Sequence, residues 1–330
     1  MNEFLDYKFT AQKQADSAGR ALGSLITKMV KNKGFPYNMY TILYQACICS
    51  ISLYGSEVYG YSRFEAVFNL QQRAIRAFLG MPKNVTSCGL VSEFDWLMPQ
   101  FMSQIKMIQH YHRLMNTATD RTTYKVYMWD YSLNVAGRVS TWVSEVRNIL
   151  HEHNLGTIFD LQQNFPCKTV VAQLKESMKR SQAEMIKIEC ENKPKLRTFI
   201  RFKDFNLLPP HIGKPLSFTE RKMISQLRLG ILPLSLDTAR YVRPIIPEEE
   251  RVCYCGSGDV ESECHLLFKC SQYQMLREAW ISKLNIPHNF LELPEEDKLR
   301  LVLNTPENVR PTARYLVSAI DYRRSLNLTY

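Results

Sequence analysis

The sequence lacks the features that mark membrane-spanning and secreted proteins. It contains no run of about 18 or more apolar residues, so we expect no membrane-spanning helix. Its opening residues, MNEFLDYKFT, do not join a basic start to an apolar run as a secretory signal does. We therefore expect an intracellular protein, in the nucleus, the cytoplasm or both.

Signals for β-structure and for nucleotide-binding loops are equally scarce. Long alternating runs of apolar and polar residues are missing, and so are the Asn-Gly and Asp-Gly pairs of tight hairpins. Neither a P-loop nor the glycine pattern of dinucleotide-binding folds occurs. These absences favour an all-α fold.

Apolar residues recur instead at the three-to-four spacing of amphipathic helices. Ala15, Ala18, Leu22, Leu25 and Met29 form one such stripe, which we expect to face a core. The same spacing predicts further helices over residues 37–53, 64–79, 102–115, 139–150, 169–191 and 217–229. Because 45% of the residues are hydrophobic, the composition excludes a wholly disordered chain.

Polar and proline-containing breaks divide the chain into segments. Residues 116–124 (NTATDRTTY) predict a surface loop, and Lys193-Pro194 and Pro209-Pro210 mark two further joints. We expect four segments, which cover residues 1–118, 119–208, 209–286 and 287–330.

Basic residues are concentrated in one part of the chain. The formal net charge is +10, and from Lys179 to Arg243 fourteen Lys or Arg residues stand against six Asp or Glu. A segment of this kind attracts polyanions, of which nucleic acid is the commonest inside cells. The alternative is that these basic residues form a solvated surface that keeps the protein soluble.

Four of the nine cysteines lie close together, and a histidine lies among them. Cys253, Cys255, His265 and Cys270 have the spacing C-x-C, nine residues, then H-x4-C. Structural zinc takes four tetrahedral thiolate and imidazole ligands, so these residues are a candidate zinc site, with adjacent Cys264 as a spare ligand. The alternative is a group of reduced cysteines that never meet. In an α-helix, the histidine and the last cysteine would point about 140° apart, so both reach one ion only near a helix end.

Longer strings around this cluster are similar to a known family. Residues 226–242 (QLRLGILPLSLDTARYV) and 248–280 (EEERVCYCGSGDVESECHLLFKCSQYQMLREAW) resemble the zinc-knuckle region of LINE-type (non-LTR) retrotransposon reverse transcriptase polyproteins. Residues 17–61, which end in YGSEVYGY, and residues 71–84 (QQRAIRAFLGMPKN) resemble the helices that follow the polymerase palm. Further matches lie at 142–150, 191–203, 291–306 and 312–326, so the resemblance covers nearly the whole chain.

The resemblance implies a fold and a ligand set. It implies a thumb-like helical bundle at 1–118, a helical connector at 119–208, a small Cys-Cys-His-Cys zinc-knuckle region at 209–286 and a helical tail at 287–330. The family ligands match Cys253, Cys255, His265 and Cys270. The family has two residues between its first two cysteines, whereas this sequence has only Tyr254, which tightens the chelate.

Nucleic acid is the partner that the resemblance implies, as RNA, DNA or both, and no membrane is expected. Phe199, Phe202 and Phe205 lie among basic residues, and they either stack on bases or pack inward. The candidate phosphate-binding residues are Lys193, Lys195, Arg197, Arg201, Lys203, Arg221, Lys222 and Arg228.

Catalysis is not expected. The family's polymerase centre needs an Asp-Asp pair that holds two metal ions, and no such pair occurs in this sequence. Three functions stay open: a non-catalytic nucleic-acid-binding region, one piece of an active polymerase completed by a palm supplied in trans, and a domesticated protein-interaction module.

Overall fold

The computed structural model describes residues 7–138 and 141–326. Within these ranges the chain is predominantly helical, which confirms the predicted all-α fold. The only β pairing in the described ranges is one antiparallel bridge between Val252 and Val260. None of the described helices combines the length and the apolar composition that a bilayer-spanning helix requires.

The helices are short to medium in length, apart from two of 25 residues. Those up to residue 138 are α1 (Tyr7–Lys31), α2 (Tyr37–Leu43), α3 (Ser50–Ser52), α4 (Ser56–Tyr59), α5 (Glu65–Leu79), α6 (Ser87–Ser92), α7 (Pro99–Met115) and α8 (Thr122–Val135). Those after it are α9 (Thr141–Glu152), α10 (Gly156–Asp160), α11 (Cys167–Glu191), α12 (Phe199–Phe202), α13 (Pro210–Gly213), α14 (Phe218–Arg228), α15 (Ser235–Thr238), α16 (Gln274–Ile281), α17 (Glu295–Asn304) and α18 (Val309–Ser325). π-Helical turns cover Tyr44–Cys49 and His265–Lys269. Short 3₁₀ turns cover Pro194–Leu196, Ala239–Tyr241, Glu248–Glu250, Ser271–Tyr273 and Phe290–Glu292.

The helical spacing of the sequence predicts most of the longer helices. The helix expected at 37–53 is present, with a π-helical turn between α2 and α3. Residues 139 and 140, at the start of the helix expected at 139–150, lie outside the described residues. The pattern does not predict α8, whose first residues overlap the expected loop at 116–124. Only Tyr127 of α8 is buried, so its apolar residues form no continuous inward stripe.

By internal packing the chain forms two units, each built from three separate segments. Unit 1 contains Met1–Ile26, Thr41–Arg73 and Trp96–Ala183. Unit 2 contains Thr27–Tyr40, Ala74–Asp95 and Glu184–Tyr330. The segments expected from the sequence, by contrast, are consecutive, and their boundaries at 118, 208 and 286 stay predictions.

Unit 1 has an apolar core to which α7 contributes one face. Pro99 begins this helix at a position where its missing N–H costs nothing. Ile105, Ile108 and Tyr111 then recur on one side and are buried. The Tyr111 ring lies 6.1 Å from the Phe159 ring, centroid to centroid. Burial of each such side chain contributes about 1.5–3 kcal/mol to the stability of the folded state. The core therefore fixes the position of α7 within unit 1.

Unit 2 is organised around α14 and α18. Ser217 caps α14: its hydroxyl accepts from the Glu220 N–H at 3.2 Å, and its own N–H donates to the Glu220 carboxylate at 2.8 Å. The same carboxylate accepts a hydrogen bond from Arg314 of α18 at 3.0 Å. Trp280 of α16 stacks on Tyr315 of α18, with ring centroids 4.6 Å apart. The capping hydrogen bonds therefore fix the start of α14, the Arg314 hydrogen bond joins α14 to α18, and aromatic stacking joins α16 to α18.

Unit 2 also contains a buried carboxylate surrounded by three basic side chains. Arg228 donates from Nε and Nη2 to the two carboxylate oxygens of Glu93 at 2.7 and 3.1 Å. His211 Nε2 lies 3.1 Å and Lys203 Nζ 3.7 Å from the same carboxylate. Burial acts to raise the pKa of the Glu93 carboxyl, but its basic neighbours outweigh burial and hold that pKa well below its ordinary value. Burial lowers the pKa of Lys203 to about 8 and that of His211 to about 4.

The buried imidazole of His211 is expected to make the fold less stable as the pH falls from 6.5 to about 4. In this window the unfolded chain takes up a proton at His211 that the folded chain does not, so the free energy of unfolding decreases by up to about 3 kcal/mol. Urea unfolding at a series of pH values measures this slope. His211→Gln is expected to lose most of it, whereas the control His288→Gln, at an exposed position, keeps it. An unchanged slope in His211→Gln would contradict the prediction.

Candidate metal centre

A short hairpin positions two of the clustered cysteines. Next to the antiparallel bridge, the Cys253 N–H donates to the Asp259 carbonyl at 2.8 Å. Gly256 and Gly258 have φ values of 79° and 78°, a left-handed conformation that glycine adopts without strain. The chain reverses there, and Cys253 and Cys255 lie on the arm that enters the turn.

A π-helical turn positions the histidine and the last cysteine. The Cys270 N–H donates to the His265 carbonyl at 2.8 Å, which is the i to i+5 bond of a π-helix. This bond places Cys270 one turn above His265, whereas α-helical geometry would point the two side chains about 140° apart. The helix ends at Cys270, whose backbone is extended, with φ −56° and ψ 123°. The wider π-turn, which the spacing does not reveal, therefore brings the two ligands to one place.

Together, the hairpin and the π-turn assemble the four predicted ligand atoms. The Sγ atoms of Cys253, Cys255 and Cys270 and a ring nitrogen of His265 all lie within 4.8 Å of one another. Cys253 Sγ is 3.6 Å from Cys270 Sγ, and Cys255 Sγ is 3.4 Å from His265 Nε2. Cys255 is half-buried and the other three residues are buried. Three thiols and one imidazole at these distances can hold a metal ion.

The electrostatics of the cluster link metal binding to pH. The hydrogen bond with Cys270, together with burial, raises the pKa of Cys253 to about 12, whereas the same hydrogen bond lowers the pKa of Cys270. Contact with Cys253 raises the pKa of His265. A metal ion needs thiolates and a neutral imidazole, so its binding releases protons and weakens as the pH falls. The second ring nitrogen, Nδ1, faces the Asp259 carboxylate at 3.6 Å, a common arrangement for a metal-binding histidine.

Cys264, the spare ligand expected from the sequence, lies outside the cluster. Its Sγ is 3.9 Å from Nη1 of Arg201, and burial raises its pKa to about 12. It precedes His265 at the start of the π-turn, so its side chain points to a different side of the backbone from that of the ligand. In this arrangement Cys264 is not among the four grouped residues, and its role as a spare ligand stays a prediction.

Two buried carboxylates fasten the centre to the rest of unit 2. Glu261 accepts hydrogen bonds from the Ser235 N–H at 2.7 Å, from the Ser235 hydroxyl at 2.5 Å and from the Arg323 guanidinium. Glu263 accepts from the Thr198 hydroxyl at 3.0 Å. Both lie within residues 248–280, the string that resembles the family's zinc-knuckle region, and the sequence assigns them no role. Their function here is to position the centre.

Two arginines of the same motif bind backbone carbonyls. Arg251 donates to the Leu236 carbonyl at 2.9 Å and to the Ile246 carbonyl at 2.7 Å. Arg277 donates to the carbonyl of Cys270 at 2.8 Å. The motif therefore contains, besides ligands, the polar side chains that hold the ligand-bearing backbone in place.

Three of the predicted phosphate-binding residues, Lys203, Arg221 and Arg228, are buried. Lys203 and Arg228 belong to the cluster around Glu93. The Arg221 guanidinium lies over the Phe78 ring, 4.2 Å from its centroid. The prediction that these three contact phosphates is wrong, because their charged groups face the protein interior.

The other predicted phosphate-binding residues are on the surface or half-buried. Arg197 Nη2 lies 3.6 Å from the Glu263 carboxylate, and Arg201 Nε lies 3.2 Å from Glu296. These two arginines are thus partly neutralised. In the described part of the chain, the candidates without a carboxylate at ion-pair distance are Lys193, Lys195 and Lys222.

Of the three phenylalanines that lie among the basic residues, two cannot stack on nucleic-acid bases. Phe199 and Phe202 are buried, and the Phe205 ring packs against Phe199 with centroids 6.1 Å apart. Of the two alternatives that the sequence left open, the structure shows inward packing for Phe199 and Phe202.

Comparison of this chain with protein-family models, with curated proteins and with solved structures gives no match.

Proposed function

We propose that this chain is the region that follows the palm in a LINE-type (non-LTR) retrotransposon reverse transcriptase, and that it binds RNA or DNA without catalysing a reaction. The observation that carries the proposal is the cluster of Cys253, Cys255, His265 and Cys270. These four residues lie in the string that resembles the family's zinc knuckle, and Arg277 of the same string supports the Cys270 backbone. The residues that match the family's zinc-knuckle motif are therefore the same residues whose possible ligand atoms lie close together in the structure.

Zinc is the metal that we propose for the cluster. In a tetrahedron with Zn–S bonds of about 2.3 Å and Zn–N bonds of about 2.0 Å, neighbouring ligand atoms are roughly 3.5–3.8 Å apart. The 3.6 Å between Cys253 Sγ and Cys270 Sγ, and the 3.4 Å between Cys255 Sγ and His265 Nε2, are close to these values. Protein ligands fill all four positions, which is typical of a structural rather than a catalytic zinc.

The absence of an Asp-Asp pair from the sequence supports a role without catalysis. A polymerase centre of this family holds two metal ions on such carboxylates, and these stabilise the attacking and leaving oxygens. Four protein ligands at the proposed zinc leave no open position for a substrate. The zinc therefore stabilises the fold.

Charge supports nucleic acid as the partner. The chain carries a net charge of +10, and Lys193 and Lys222 keep charged groups that no carboxylate neutralises, whereas the Lys195 ammonium donates to the Tyr241 hydroxyl at 2.6 Å. Because three of the eight predicted contacts are buried, we propose that exposed cations outside this stretch contribute as well.

A single-stranded oligonucleotide is expected to bind the zinc-loaded chain with an affinity that falls steeply with salt. Contact with three to five phosphates gives a slope of about 2–3.5 in log Kd against log salt concentration. Fluorescence anisotropy at several chloride concentrations measures this slope. Lys193→Glu is expected to reduce it by about 0.7, whereas Lys193→Arg, which keeps the positive charge at the same exposed position, leaves it unaltered. Absent or salt-insensitive binding at low ionic strength would reject the proposal.

One observation favours a protein-interaction module as a second candidate. On α8 the side chains of Val126 and Trp129, which are three positions apart and so share one side of the helix, are 58% and 64% exposed. Exposed apolar side chains that lie together are typical of protein interfaces. Under this alternative, capture of a partner chain survives nuclease treatment and salt-dependent oligonucleotide binding is absent.

A further inference from the structure

Unit 1 contains an open cavity of about 450 Å³ that is separate from the metal centre. Five of its six lining residues are charged or polar, so the cavity suits a polar ligand rather than a hydrocarbon. The lining residues are Glu57, Lys106, Gln109, His112, Arg113 and Cys167.

One wall of the cavity is a face of α7. Lys106, Gln109 and Arg113 are related by three, four and seven positions, so they share one side of this helix. Ile108 and Tyr111, on the opposite side, are fully buried in the core of unit 1. The wall is therefore rigid, which reduces the conformational entropy lost when a ligand binds.

Two side chains of the cavity are already oriented by the protein. The Lys106 ammonium donates one hydrogen bond to the Leu53 carbonyl at 2.7 Å, which leaves two of its three hydrogens for a ligand. The His112 ring lies edge-on to the Phe165 ring, with centroids 4.9 Å apart. These contacts restrict both side chains before a ligand arrives.

The charges of the cavity indicate what it binds. Among the described residues, neither Lys106 nor Arg113 has a carboxylate at ion-pair distance, and Glu57 is the only acidic residue of the lining. Lysine and arginine donate hydrogen bonds and accept none, and the Gln109 amide adds two more donors. A phosphate group supplies what this wall lacks, namely negative charge and several acceptor oxygens.

We propose that this cavity binds a phosphate group, and that the phosphate belongs to the backbone of a polynucleotide. The second statement rests on the proposed function. A small phosphate-bearing molecule presents the same chemistry to Lys106 and Arg113, so a test must separate the two sources.

Alkylation of Cys167 reports directly on the cavity. The full zinc-loaded chain is treated with iodoacetamide at constant ionic strength, alone, with a single-stranded oligonucleotide or with inorganic pyrophosphate, and peptide mass spectrometry follows each cysteine. At ten times its Kd, a ligand in the cavity is expected to slow alkylation of Cys167 about tenfold. Cys47 is exposed and does not line the cavity, so its rate serves as the internal control.

Matched charge reversals test the wall itself. Arg113→Glu is expected to weaken phosphate binding at least about tenfold and to remove the protection of Cys167. Arg180→Glu makes the same change at an exposed position of α11 that does not line the cavity, and it is expected to keep that protection. Equal effects of the two variants would overturn the inference.

The combined results separate the inference from the proposed function. If anisotropy shows oligonucleotide binding while Cys167 stays unprotected by either ligand, the cavity inference is rejected and the proposed function stands. If no oligonucleotide binds but pyrophosphate protects Cys167, the proposed function is rejected and the cavity is a site for small phosphate compounds. Protection by the oligonucleotide that Arg113→Glu removes supports both.

Discussion

If the cluster holds the proposed zinc, replacing Cys270 by serine is expected to abolish zinc binding and to unfold the region around it. The Cys270 thiol is fully buried and lies 3.6 Å from the Cys253 thiol, so the change replaces a central ligand by a hydroxyl that binds zinc poorly. Structural zinc contributes on the order of 10 kcal/mol to the folding of small zinc domains, and we expect a loss of at least about 4 kcal/mol here. Elemental analysis of the purified chain and urea unfolding measure the two effects.

Cys264→Ser is the matched control, because it makes the same chemical change next to another ligand, His265. The Cys264 thiol contacts the Arg201 guanidinium and lies outside the cluster. This variant is expected to keep stoichiometric zinc and to lose only about 1 kcal/mol of stability. Full zinc content in Cys270→Ser would reject the four-ligand centre, and zinc loss from Cys264→Ser would show that Cys264 is a ligand after all.

Replacing Glu93 by glutamine is expected to destabilise the fold by about 3–5 kcal/mol, because it leaves a buried positive charge without its counter-ion. The Arg228 side chain is 1% exposed and donates to both Glu93 carboxylate oxygens. Lys203, whose ammonium is 3.7 Å from the carboxylate, loses the same neutralising charge. Urea unfolding at neutral pH measures the loss.

Glu65→Gln makes the identical change in an exposed ion pair, in which Glu65 lies 2.8 Å from Arg63. Water screens that pair, so the expected loss is at most about 1 kcal/mol. The double replacement Glu93→Leu with Arg228→Met removes the charges of Glu93 and Arg228 and leaves only Lys203 without its counter-ion. It is therefore expected to recover part of the stability lost in Glu93→Gln. Similar losses in Glu93→Gln and Glu65→Gln would show that the buried cluster does not carry the stability assigned to it.

The metal centre could be predicted from the sequence to a large extent, because its four ligands are close together in the chain. Spacing and family resemblance both select Cys253, Cys255, His265 and Cys270. What spacing does not convey is the backbone geometry. With α-helical geometry the last two ligands diverge, whereas the i to i+5 bond of the π-turn brings them together and leaves Cys264 outside.

The contacts of the basic residues could not be predicted from the sequence. Density of charge predicts phosphate contacts for Arg228 and Lys203, yet both serve the buried carboxylate of Glu93. Glu93 precedes Arg228 by 135 residues, so no local pattern connects them. The same applies to the cavity beside α7, where Arg113 and Cys167 come from different helices.

By itself, the sequence determined the all-α fold and selected the four residues whose possible ligand atoms the structure brings together, because helical periodicity and ligand spacing are properties of residues only a few positions apart. It did not determine α8, whose apolar residues form no inward stripe. Only the tertiary structure decided which cations face water, which thiol stays outside the cluster and which aromatic rings are covered. Those outcomes depend on contacts between segments that are far apart in the sequence. The local pattern of one segment does not indicate which distant residues it will contact in the folded protein.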